Sequence, residues 1–324
     1  MKSEGGNRRD ALARLLRLGG LGTASAGLGV WLSARSRRPE QTRGGGYKIR
    51  AGIPPDPRLP AMVVAHGDDP RLLVRRSIDE LGGMRRFVAQ GDVVLIKPNI
   101  GWDRTPEQAA NTNPQVVAEV VRLCRAAGAR RVIVTDVSCN DPRRCFPRSG
   151  IPAAAIAEGA EVPLPEDRLL KKTNLGASLG SWLTLEPLLS ADKVINIPIA
   201  KHHSLTGVTL GMKNWLGIVS GPRNRLHQDI HTSVVDLAEV ARPVLTLIDA
   251  YRILVRNGPT GGSLADVEFK KTLIASTDPV AADACAAKTY WNFEANALLY
   301  LRIAQERGLG RMDFENVRTT VIRT

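Results

Sequence analysis

Short runs of consecutive apolar residues alternate along the chain with longer segments of helical periodicity. From residue 60 onward, β-rich runs predict strands at 62–65, 93–96, 132–135, 194–197, 245–248 and 272–275. Continuous apolar runs of this length are typical of strands that are buried on both faces. Helices are predicted between them, near 70–82, 114–128, 151–158, 231–241, 279–289 and 294–307. This alternation predicts an α/β fold with a largely parallel central sheet and helices on both faces.

Two of the predicted helices begin with a specific signal. Asn113-Pro114 and Asp278-Pro279 each place a polar capping residue before a proline at the first helical position. This order is preferred at a helix N-terminus. No repeat or low-complexity segment stands out beyond the amino-terminal region, so we predict a single α/β domain over residues 47–324.

Residues 1–46 have the composition of an export signal and a linker. A basic region with the pair Arg8-Arg9 precedes an uncharged apolar run at 18–34 and then an Arg- and Gly-rich stretch. This order matches a twin-arginine-like signal. It predicts an exported protein that is periplasmic, or anchored in the membrane through this segment and facing the periplasm. Leu32-Ser33-Ala34 is a poor cleavage box, so cleavage and anchoring both stay open, and a basic disordered tail is the alternative.

The formal charge of +13 does not by itself indicate nucleic-acid binding. Residues 1–46 hold nine Lys or Arg and three acidic residues, so nearly half of the excess charge lies in the predicted signal. Aromatic residues make up 4% of the chain, and no basic stripe is interleaved with them as a single-strand platform requires. We therefore expect no nucleic-acid partner.

The four cysteines do not form a cluster motif. Cys124 and Cys285 lie in apolar helical patterns and are predicted to be buried thiols. Cys139 and Cys145 flank a Pro-containing turn in which a disulfide is sterically plausible. Because no Cys-x-x-Cys pair occurs, we expect no built-in iron–sulfur cluster.

Polar residues stand where several of the predicted strands end. In parallel sheets, ligands bind beyond the carboxyl ends of the strands, so these residues are expected to meet in one cleft. They are Lys97-Pro98-Asn99, Asp136-Val137-Ser138, Lys201-His202-His203, Asp249 and Asp278.

Four of the five histidines fall between Ile199 and Thr232. His227, Asp229 and His231 would share one face of an extended segment, whereas in a helix His227 and His231 would still meet one turn apart while Asp229 turns away. Two imidazoles with a carboxylate suit a divalent transition metal. A surface loop whose histidines only cap or hydrogen-bond is the alternative. His202 and His203 point to opposite sides of an extended chain, so one of them is expected to enter the cleft as an acid or base.

The cationic residues predict a small anionic molecule as the ligand. Its carboxylate or phosphate group would be held by lysine and arginine side chains and oriented by asparagine amides. No Walker or dinucleotide fingerprint identifies a cofactor. The predicted ligand-binding residues are Lys97, Asn99, Lys201, Asn214 and Arg223, and the predicted catalytic residues are His203, Lys213 and Asp249.

The sequence also predicts the local structure of two glycine-containing segments and the environment of one buried carboxylate. Residues 207–214 are predicted to form a loop that enters a helix, with Gly207 and Gly211 on one helical face. The glycine-rich segment 257–262 suits either an anion cradle or a simple turn. Asp283 lies inside an apolar helix, and a buried carboxylate there requires a cation or a backbone donor as its partner.

Five blocks of the sequence, in order along the chain, match the pattern of a known family. They are VVLIKPNIGW, NTNPQVVAEVVRL, INIPIAKHHSLTGVTLGMKNWLGIV, LTLIDAYRILVRNGPTGG and IASTDPVAADACAA. These blocks resemble the uncharacterised family known as domain of unknown function 362. The resemblance covers most of residues 90–290 and implies an α/β fold. In some members it also implies an attached ferredoxin-like module with iron–sulfur clusters, whose cysteine runs this chain lacks.

The leading hypothesis is an exported enzyme that binds a metal or an anionic cofactor or substrate in this cleft. Redox chemistry with a redox partner is slightly favoured by the family association and the export signal. One alternative is a non-catalytic envelope protein that binds a carboxylate- or phosphate-bearing ligand. The other is an accessory protein that delivers a cofactor to a partner.

Overall fold

A mixed β-sheet forms the centre of the fold in a computed structural model that describes residues 47–48 and 50–324. The predicted export signal and its boundary lie outside these residues. The nine-stranded sheet contains β1 (Met62–His66), β2 (Val93–Pro98), β3 (Arg131–Val134), β6 (Lys193–Ile197), β7 (Ile199–His203), β8 (Gly207–Thr209), β10 (Leu245–Leu254), β11 (Val267–Ser276) and β12 (Thr319–Arg323). A separate three-stranded sheet contains β4 (Leu170–Asn174), β5 (Ser181–Leu185) and β9 (Val219–Ser220).

The strand order of the large sheet is β12-β1-β11-β10-β6-β2-β3, and β7 pairs with both β10 and β8. The β3, β2, β6 and β10 strands are parallel neighbours. The β11 strand runs antiparallel to both β10 and β1. The prediction of a largely parallel sheet is therefore confirmed, and each of the predicted apolar runs lies in one of its strands, except that Thr135 follows the end of β3.

Helices cover both faces of the sheet, as predicted. One face packs against α1 (Pro70–Glu80) and α2 (Pro114–Ala126), and the other packs against α6 (Ile230–Ala241), α7 (Pro279–Trp291) and α8 (Leu299–Glu306). The shorter helices are α3 (Pro142–Ser149), α4 (Ile151–Ala157) and α5 (Glu186–Ser190). None of the helices in the described ranges is long and apolar enough to cross a membrane.

Alternation along each strand divides the apolar side chains between two cores. In β2, Leu95 belongs to the core under α6 and α7, whereas Ile96 belongs to the core under α1 and α2. Both side chains are fully buried. This arrangement explains the uninterrupted apolar runs, because a strand covered by helices on both faces has no solvent-facing side.

Four of the eight described α-helices begin with the same local arrangement. Asp69, Asn113, Asp141 and Asp278 each accept a hydrogen bond from a backbone N–H in the first turn, and each precedes a proline. The side-chain acceptor satisfies a donor that the helix leaves unpaired, and the missing N–H of proline costs nothing there. The two helix starts predicted from Asn113-Pro114 and Asp278-Pro279 are confirmed.

The region that follows β7 differs from the prediction. Gly207 lies in β8, which pairs antiparallel with β7, and a 3-10 helix at Lys213–Ile218 follows. The prediction that 207–214 enters a helix with two glycines on one face was therefore wrong in its geometry. The hairpin brings its residues back over the sheet edge, which the linear pattern of apolar residues does not reveal.

Asp278 was expected at the same sheet edge as the other strand-end residues, and this expectation was wrong. The residue follows β11, which runs antiparallel to its neighbours. Its strand therefore ends at the opposite edge from β2, β3 and β6. There the carboxylate of Asp278 caps α7 and also accepts a hydrogen bond from the backbone N–H of Arg311.

Candidate functional site

A cavity of about 290 Å³ opens where β2 and β3 end and where the β7–β8 hairpin and the 3-10 helix at Lys213–Ile218 close over them. Eight of the eleven predicted site residues line it. Those eight are Lys97, Asn99, Lys201, His203, Lys213, Asn214, Arg223 and His227, and further lining residues include Trp102, Asp136, Cys139, Thr209, Gly217 and Pro259.

A buried ion pair forms the floor of the cavity. The Nζ atom of Lys97, the penultimate residue of β2, lies 2.7 Å from Oδ1 of Asp136, and both side chains are almost completely buried. Burial lowers the pKa of Lys97 and raises that of Asp136, because a low-dielectric environment disfavours each charged form. The opposite charge of the partner counteracts both shifts. The second carboxylate oxygen of Asp136 accepts a hydrogen bond from the backbone N–H of Ile100.

An amide network connects this ion pair to the neighbouring strands. Oδ1 of Asn214 accepts hydrogen bonds from Nζ of Lys97 and Nδ2 of Asn99, both at 3.0 Å. Nδ2 of Asn214 donates to Oδ1 of Asn196 in β6 at 2.8 Å. Because each amide group has defined partners, the network fixes the orientations of Asn99 and Asn214 at the cavity wall.

Lys201 is a buried cation whose contacts are all with neutral groups. Its Nζ donates to the backbone carbonyl of Ala110 at 2.6 Å and to Oδ1 of Asn99 at 3.2 Å. Desolvation lowers the pKa of Lys201 to about 7, and the nearby charge of Lys97 also lowers it. No carboxylate forms an ion pair with it in the part of the chain that the structure describes. The side chain is thus held rigidly with one donor position left for a ligand.

Lys213 has no polar partner at all among the described residues. It is 4% exposed and lines the cavity, yet its Nζ forms neither a hydrogen bond nor an ion pair there. Burial lowers the pKa of Lys213 to about 7, and the charge of Lys201 contributes in the same direction. A buried ammonium group without a partner is energetically costly. This amine therefore faces the cavity without a protein partner in the described ranges.

The turn that carries Lys213 is held by the carboxylate of Asp283 in α7. The two oxygens of Asp283 accept hydrogen bonds from the backbone N–H groups of Gly211 and Met212, at 2.7 and 2.9 Å. Burial raises the pKa of Asp283 to about 7, although these two donors oppose the shift. The expected partner of this buried carboxylate is thus a pair of backbone donors. A Cβ atom on Gly211 would lie 2.7 Å from Oδ1 of Asp283, so glycine is needed for this close approach.

His203 lines the cavity as a neutral imidazole, whereas the adjacent His202 points away. Nδ1 of His203 accepts hydrogen bonds from the backbone N–H groups of Leu205 and Thr206, which assigns the ring proton to Nε2. Burial lowers the pKa of His203 to about 3, with further contributions from Lys213 and Lys201. Nδ1 of His202 accepts from the backbone N–H of Gly258. His203 is thus a hydrogen-bond donor toward the cavity.

Arg223 and His227 stand on a 3-10 helix at the cavity entrance. The guanidinium of Arg223 donates to the carbonyl oxygens of Val137 and Ser138, at 2.9 and 2.7 Å. Nδ1 of His227 lies 3.0 Å from the carbonyl oxygen of Arg223. Arg223 therefore presents a fixed positive charge at the cavity entrance.

Three predicted site residues lie outside the cavity. Asp229 caps α6 by accepting from the backbone N–H of Thr232, and the ring of His231 stacks on Tyr300. Asp249 accepts from the backbone N–H groups of Asn113 and Tyr251. Burial raises the pKa of Asp249 to about 6.

The predicted metal ligands serve separate roles. His227 lies in a 3-10 helix and Asp229 caps the α-helix that contains His231, so the three do not share a face of one extended strand. Within residues 47–48 and 50–324, no group of three or more His, Cys, Asp or Glu side chains could hold a metal ion. The divalent metal therefore stays a prediction without a preformed three-ligand site.

Asp136 and Trp102 line the cavity but are not among the predicted site residues. The sequence pattern places Asp136 only after a strand, and its pairing with Lys97 depends on β2 lying beside β3. Trp102 lines the cavity without a signal in the local pattern that marks it as a site residue. Cys139 is exposed and Cys145 is buried in α3, and both are free thiols, so the disulfide considered from the sequence is not formed.

Gly217 permits the close packing of the 3-10 helix on the buried ion pair. A Cβ atom at this position would lie 1.9 Å from Oδ1 of Asp136 and 2.7 Å from Nζ of Lys97. We expect Gly217→Ala to lower the free energy of unfolding by about 1–3 kcal/mol, as overpacking of a filled interior does. Gly52→Ala is the matched control, since a Cβ there would meet no atom within 4 Å. Equal urea-unfolding midpoints for the two variants would contradict this packing.

Two solved structures share a distant likeness with the fold. They are the lactate racemase apoprotein from Thermoanaerobacterium thermosaccharolyticum, with 14% identity and a TM-score of 0.44, and a protein from Thermotoga maritima, with 10% identity and a TM-score of 0.40. The matches cover 75% and 74% of this chain, and 61% and 60% of those chains.

A curated relative and a family model match the sequence itself. The thylakoid-associated protein sll1697 of Synechocystis sp. is 28% identical over 218 residues, which are 65% of this chain and 66% of the relative. The chain thus covers slightly less than two thirds of that protein. The model described as "Domain of unknown function (DUF362)" matches residues 94–288, which include every lining residue of the cavity. The resemblance inferred from the sequence is confirmed, and the chain belongs to the DUF362 family.

Proposed function

We propose that the protein is an enzyme that binds a small carboxylate- or phosphate-bearing molecule in this cavity. The observation that carries the proposal is the buried ammonium group of Lys213, which faces the cavity without a partner. A bound anion would supply the missing counter-charge. Lys213 and His203 would then stand beside the bound molecule as the groups that donate or accept protons.

The charge balance of the lining supports an anionic ligand. Asp136 is the only carboxylate among the lining residues, and it is paired with Lys97. Lys201, Lys213 and Arg223 are left with no acidic partner among the described residues. Because the lysines are buried, their attraction for an anion is screened less than it would be on the surface. The carboxylate or phosphate is expected to bind between Lys201 and Arg223, whose side chains are fixed by backbone carbonyl oxygens.

The neutral groups of the cavity suit orientation and proton transfer. His203 stays neutral across the physiological pH range and directs its Nε2–H into the cavity, where it can donate to a developing oxyanion. The unpartnered hydroxyl of Thr209 and the fixed amide of Asn99 add further polar contacts. Lys213, whose pKa is lowered to about 7, can both give and take a proton near neutral pH.

The size of the cavity limits the ligand to a small molecule. Its volume of about 290 Å³ is at the lower end of the roughly 300–1,000 Å³ of typical small-molecule sites. A compact acid or phosphate fits this volume better than a dinucleotide does. The absence of a dinucleotide fingerprint from the sequence agrees with this assignment.

A non-catalytic anion receptor is the second candidate. The rigid attachment of Lys201 and Arg223 to backbone carbonyl oxygens supports it, since a receptor requires preorganised cations and no titrating base. The discriminating observation is turnover. Binding of small anions without conversion of any carboxylate or phosphate compound in a substrate screen would favour the receptor.

Isothermal titration with oxalate tests the binding site directly, because oxalate keeps its charge between pH 6 and pH 9. Lys201→Met should weaken binding by about 10- to 100-fold, which corresponds to the roughly 1.5–3 kcal/mol of a hydrogen bond to a charged group. Binding to the unaltered protein should also weaken from pH 6 to pH 9, since the pKa of Lys201 is about 7. The exposed Lys172 gives the matched control Lys172→Met. Equal oxalate affinities for Lys201→Met and Lys172→Met would show that Lys201 does not bind the anion and would refute the proposed binding site.

The location of the protein is a separate proposal. We propose that residues 1–46 bring the chain to a membrane or export it, which the basic and apolar order of the segment and the thylakoid association of the relative support. Deletion of residues 1–46 should move the protein from the membrane or periplasmic fraction to the cytoplasmic fraction. An unchanged distribution would contradict this role.

A further inference from the structure

Three lysines line one cavity, but their amino groups differ in what they contact. Lys97 forms an ion pair with Asp136, and Lys201 donates to a backbone carbonyl and an amide oxygen. Of these three lysines, only Lys213 has an Nζ atom without a hydrogen-bond or ion-pair partner among the described residues. Its nitrogen lone pair, once deprotonated, is free to react with a bound molecule.

We propose that Lys213 forms a Schiff base with the carbonyl group of a small anionic aldehyde or 2-oxo acid. This inference rests on the proposed function, because it assigns the carboxylate of the same ligand to Lys201 and Arg223. It adds the substrate class and the role of Lys213 as a nucleophile. A cavity that holds two fixed cations and one uncommitted amine matches a ligand with an anionic end and an electrophilic carbon.

The step balances without an external oxidant or reductant. The neutral Nζ of Lys213 attacks the carbonyl carbon, a C–N bond forms, and the carbonyl oxygen takes up a proton to give a carbinolamine. The nitrogen then loses its remaining proton, the C–O bond breaks, and water leaves as the C=N bond forms. The two hydrogens of the neutral amine and the carbonyl oxygen together account for this water molecule.

The surroundings of Lys213 favour each part of the step. Burial and the neighbouring charge of Lys201 lower the pKa of Lys213 to about 7, so a large fraction of the amine is neutral at physiological pH. The same combination of desolvation and a second cation activates lysine nucleophiles in general. His203 lines the cavity as well and can donate its Nε2–H to the carbonyl oxygen as negative charge develops there.

Reductive trapping of the full chain tests the proposal. The protein is incubated with glyoxylate or pyruvate and sodium cyanoborohydride, and the modified lysine is located by peptide mass spectrometry. We expect an adduct on Lys213 that is absent from Lys213→Met and retained in Lys172→Met. With saturating oxo acid, the initial rate should rise about tenfold per pH unit below the pKa of Lys213 and level off near pH 7–8, because imine formation then follows the neutral fraction of this amine. An exposed lysine keeps gaining reactivity up to about pH 10.

Oxalate, which has carboxylates but no reactive ketone or aldehyde carbon, separates failure of this proposal from failure of the proposed function. Trapping at Lys213 that oxalate suppresses would support both. Oxalate binding with no adduct on Lys213 would overturn the Schiff base and leave the anion site standing. Adducts spread evenly over exposed lysines would also overturn it. If oxalate does not bind and no adduct forms, both proposals fail.

The variant Lys213→Arg keeps the positive charge but cannot form the imine. It should therefore bind oxalate and show no adduct at position 213 after reductive trapping.

Discussion

Lys213→Met should make the ligand-free protein more stable than the unaltered chain at pH 6, by about 2–4 kcal/mol. The pKa of Lys213 falls from 10.5 to about 7 in the folded state, and such a shift corresponds to a cost on the order of 5 kcal/mol. We expect less than this full value, because the folded state relaxes around a buried charge. Methionine fills a similar volume and removes the charge.

The pH dependence of this gain follows from the sign of the shift. Between pH 7 and pH 10.5 the unfolded chain holds the lysine proton more firmly than the folded chain does, so the stability of the unaltered protein rises with pH. The loss of stability caused by burying charged Lys213 is complete below pH 7. It disappears above pH 10.5, where the lysine of the unfolded chain is neutral too. The advantage of Lys213→Met over the unaltered protein should therefore shrink between pH 7 and pH 10.

Urea unfolding at pH 6, 8 and 10 measures this effect, with Lys172→Met as the control. The exposed control variant should differ from the unaltered protein by no more than about 0.5 kcal/mol at any of these pH values. Saturating oxalate should narrow the difference at pH 6, because it binds more tightly to the protein that adds the ammonium group of Lys213 to Lys201 and Arg223. A destabilised Lys213→Met, or a gain that does not change with pH, would contradict the account.

Lys97→Met should have the opposite effect and destabilise the protein by about 3–5 kcal/mol, the usual cost of leaving one member of a buried ion pair without its partner. Asp136 is 2% exposed and would retain only the hydrogen bond from Ile100. The double variant Lys97→Met/Asp136→Asn should recover most of this loss, since the asparagine oxygen still accepts that hydrogen bond and no charge remains.

A double-mutant cycle at pH 7 tests the coupling between Lys97 and Asp136. The double variant should be more stable than Lys97→Met alone, and far more stable than the sum of the two single-variant losses predicts. Additive effects would show that the 2.7 Å contact contributes no coupling energy. In that case the floor of the cavity would not be the electrostatic unit described above.

The fold was largely predictable because strands that are buried on both faces of the sheet have uninterrupted apolar sequences. Runs such as 93–96 and 245–248 contain no charge because helices cover both sides of the sheet. Proline after Asn113 or Asp278 marks the helix starts. The small sheet of β4, β5 and β9 was not predicted, because strands such as β4 expose residues like Lys171 and Lys172 and lack an apolar run.

The candidate site was predictable as far as strand order alone could place its residues. Lys97, Asn99 and Lys201 follow or belong to parallel strands, whose carboxyl ends meet at one edge. The direction of β11 could not be read from local pattern, so Asp278 was assigned to the wrong edge. The clustered histidines did not form the predicted group, because His227 and His231 belong to different helical segments whose relative orientation depends on tertiary packing.

The most direct test of the anion site is the pKa of Lys213 itself. Heteronuclear NMR of protein labelled at lysine can follow each side-chain amine through a pH titration, and the Lys213→Met variant assigns the signal. The account predicts a pKa near 7 without ligand and a higher pKa in the presence of oxalate, because an anion that prefers the ammonium form must raise it. A pKa above 10 that oxalate leaves unchanged would show that Lys213 is an ordinary solvated lysine and would contradict the proposed function.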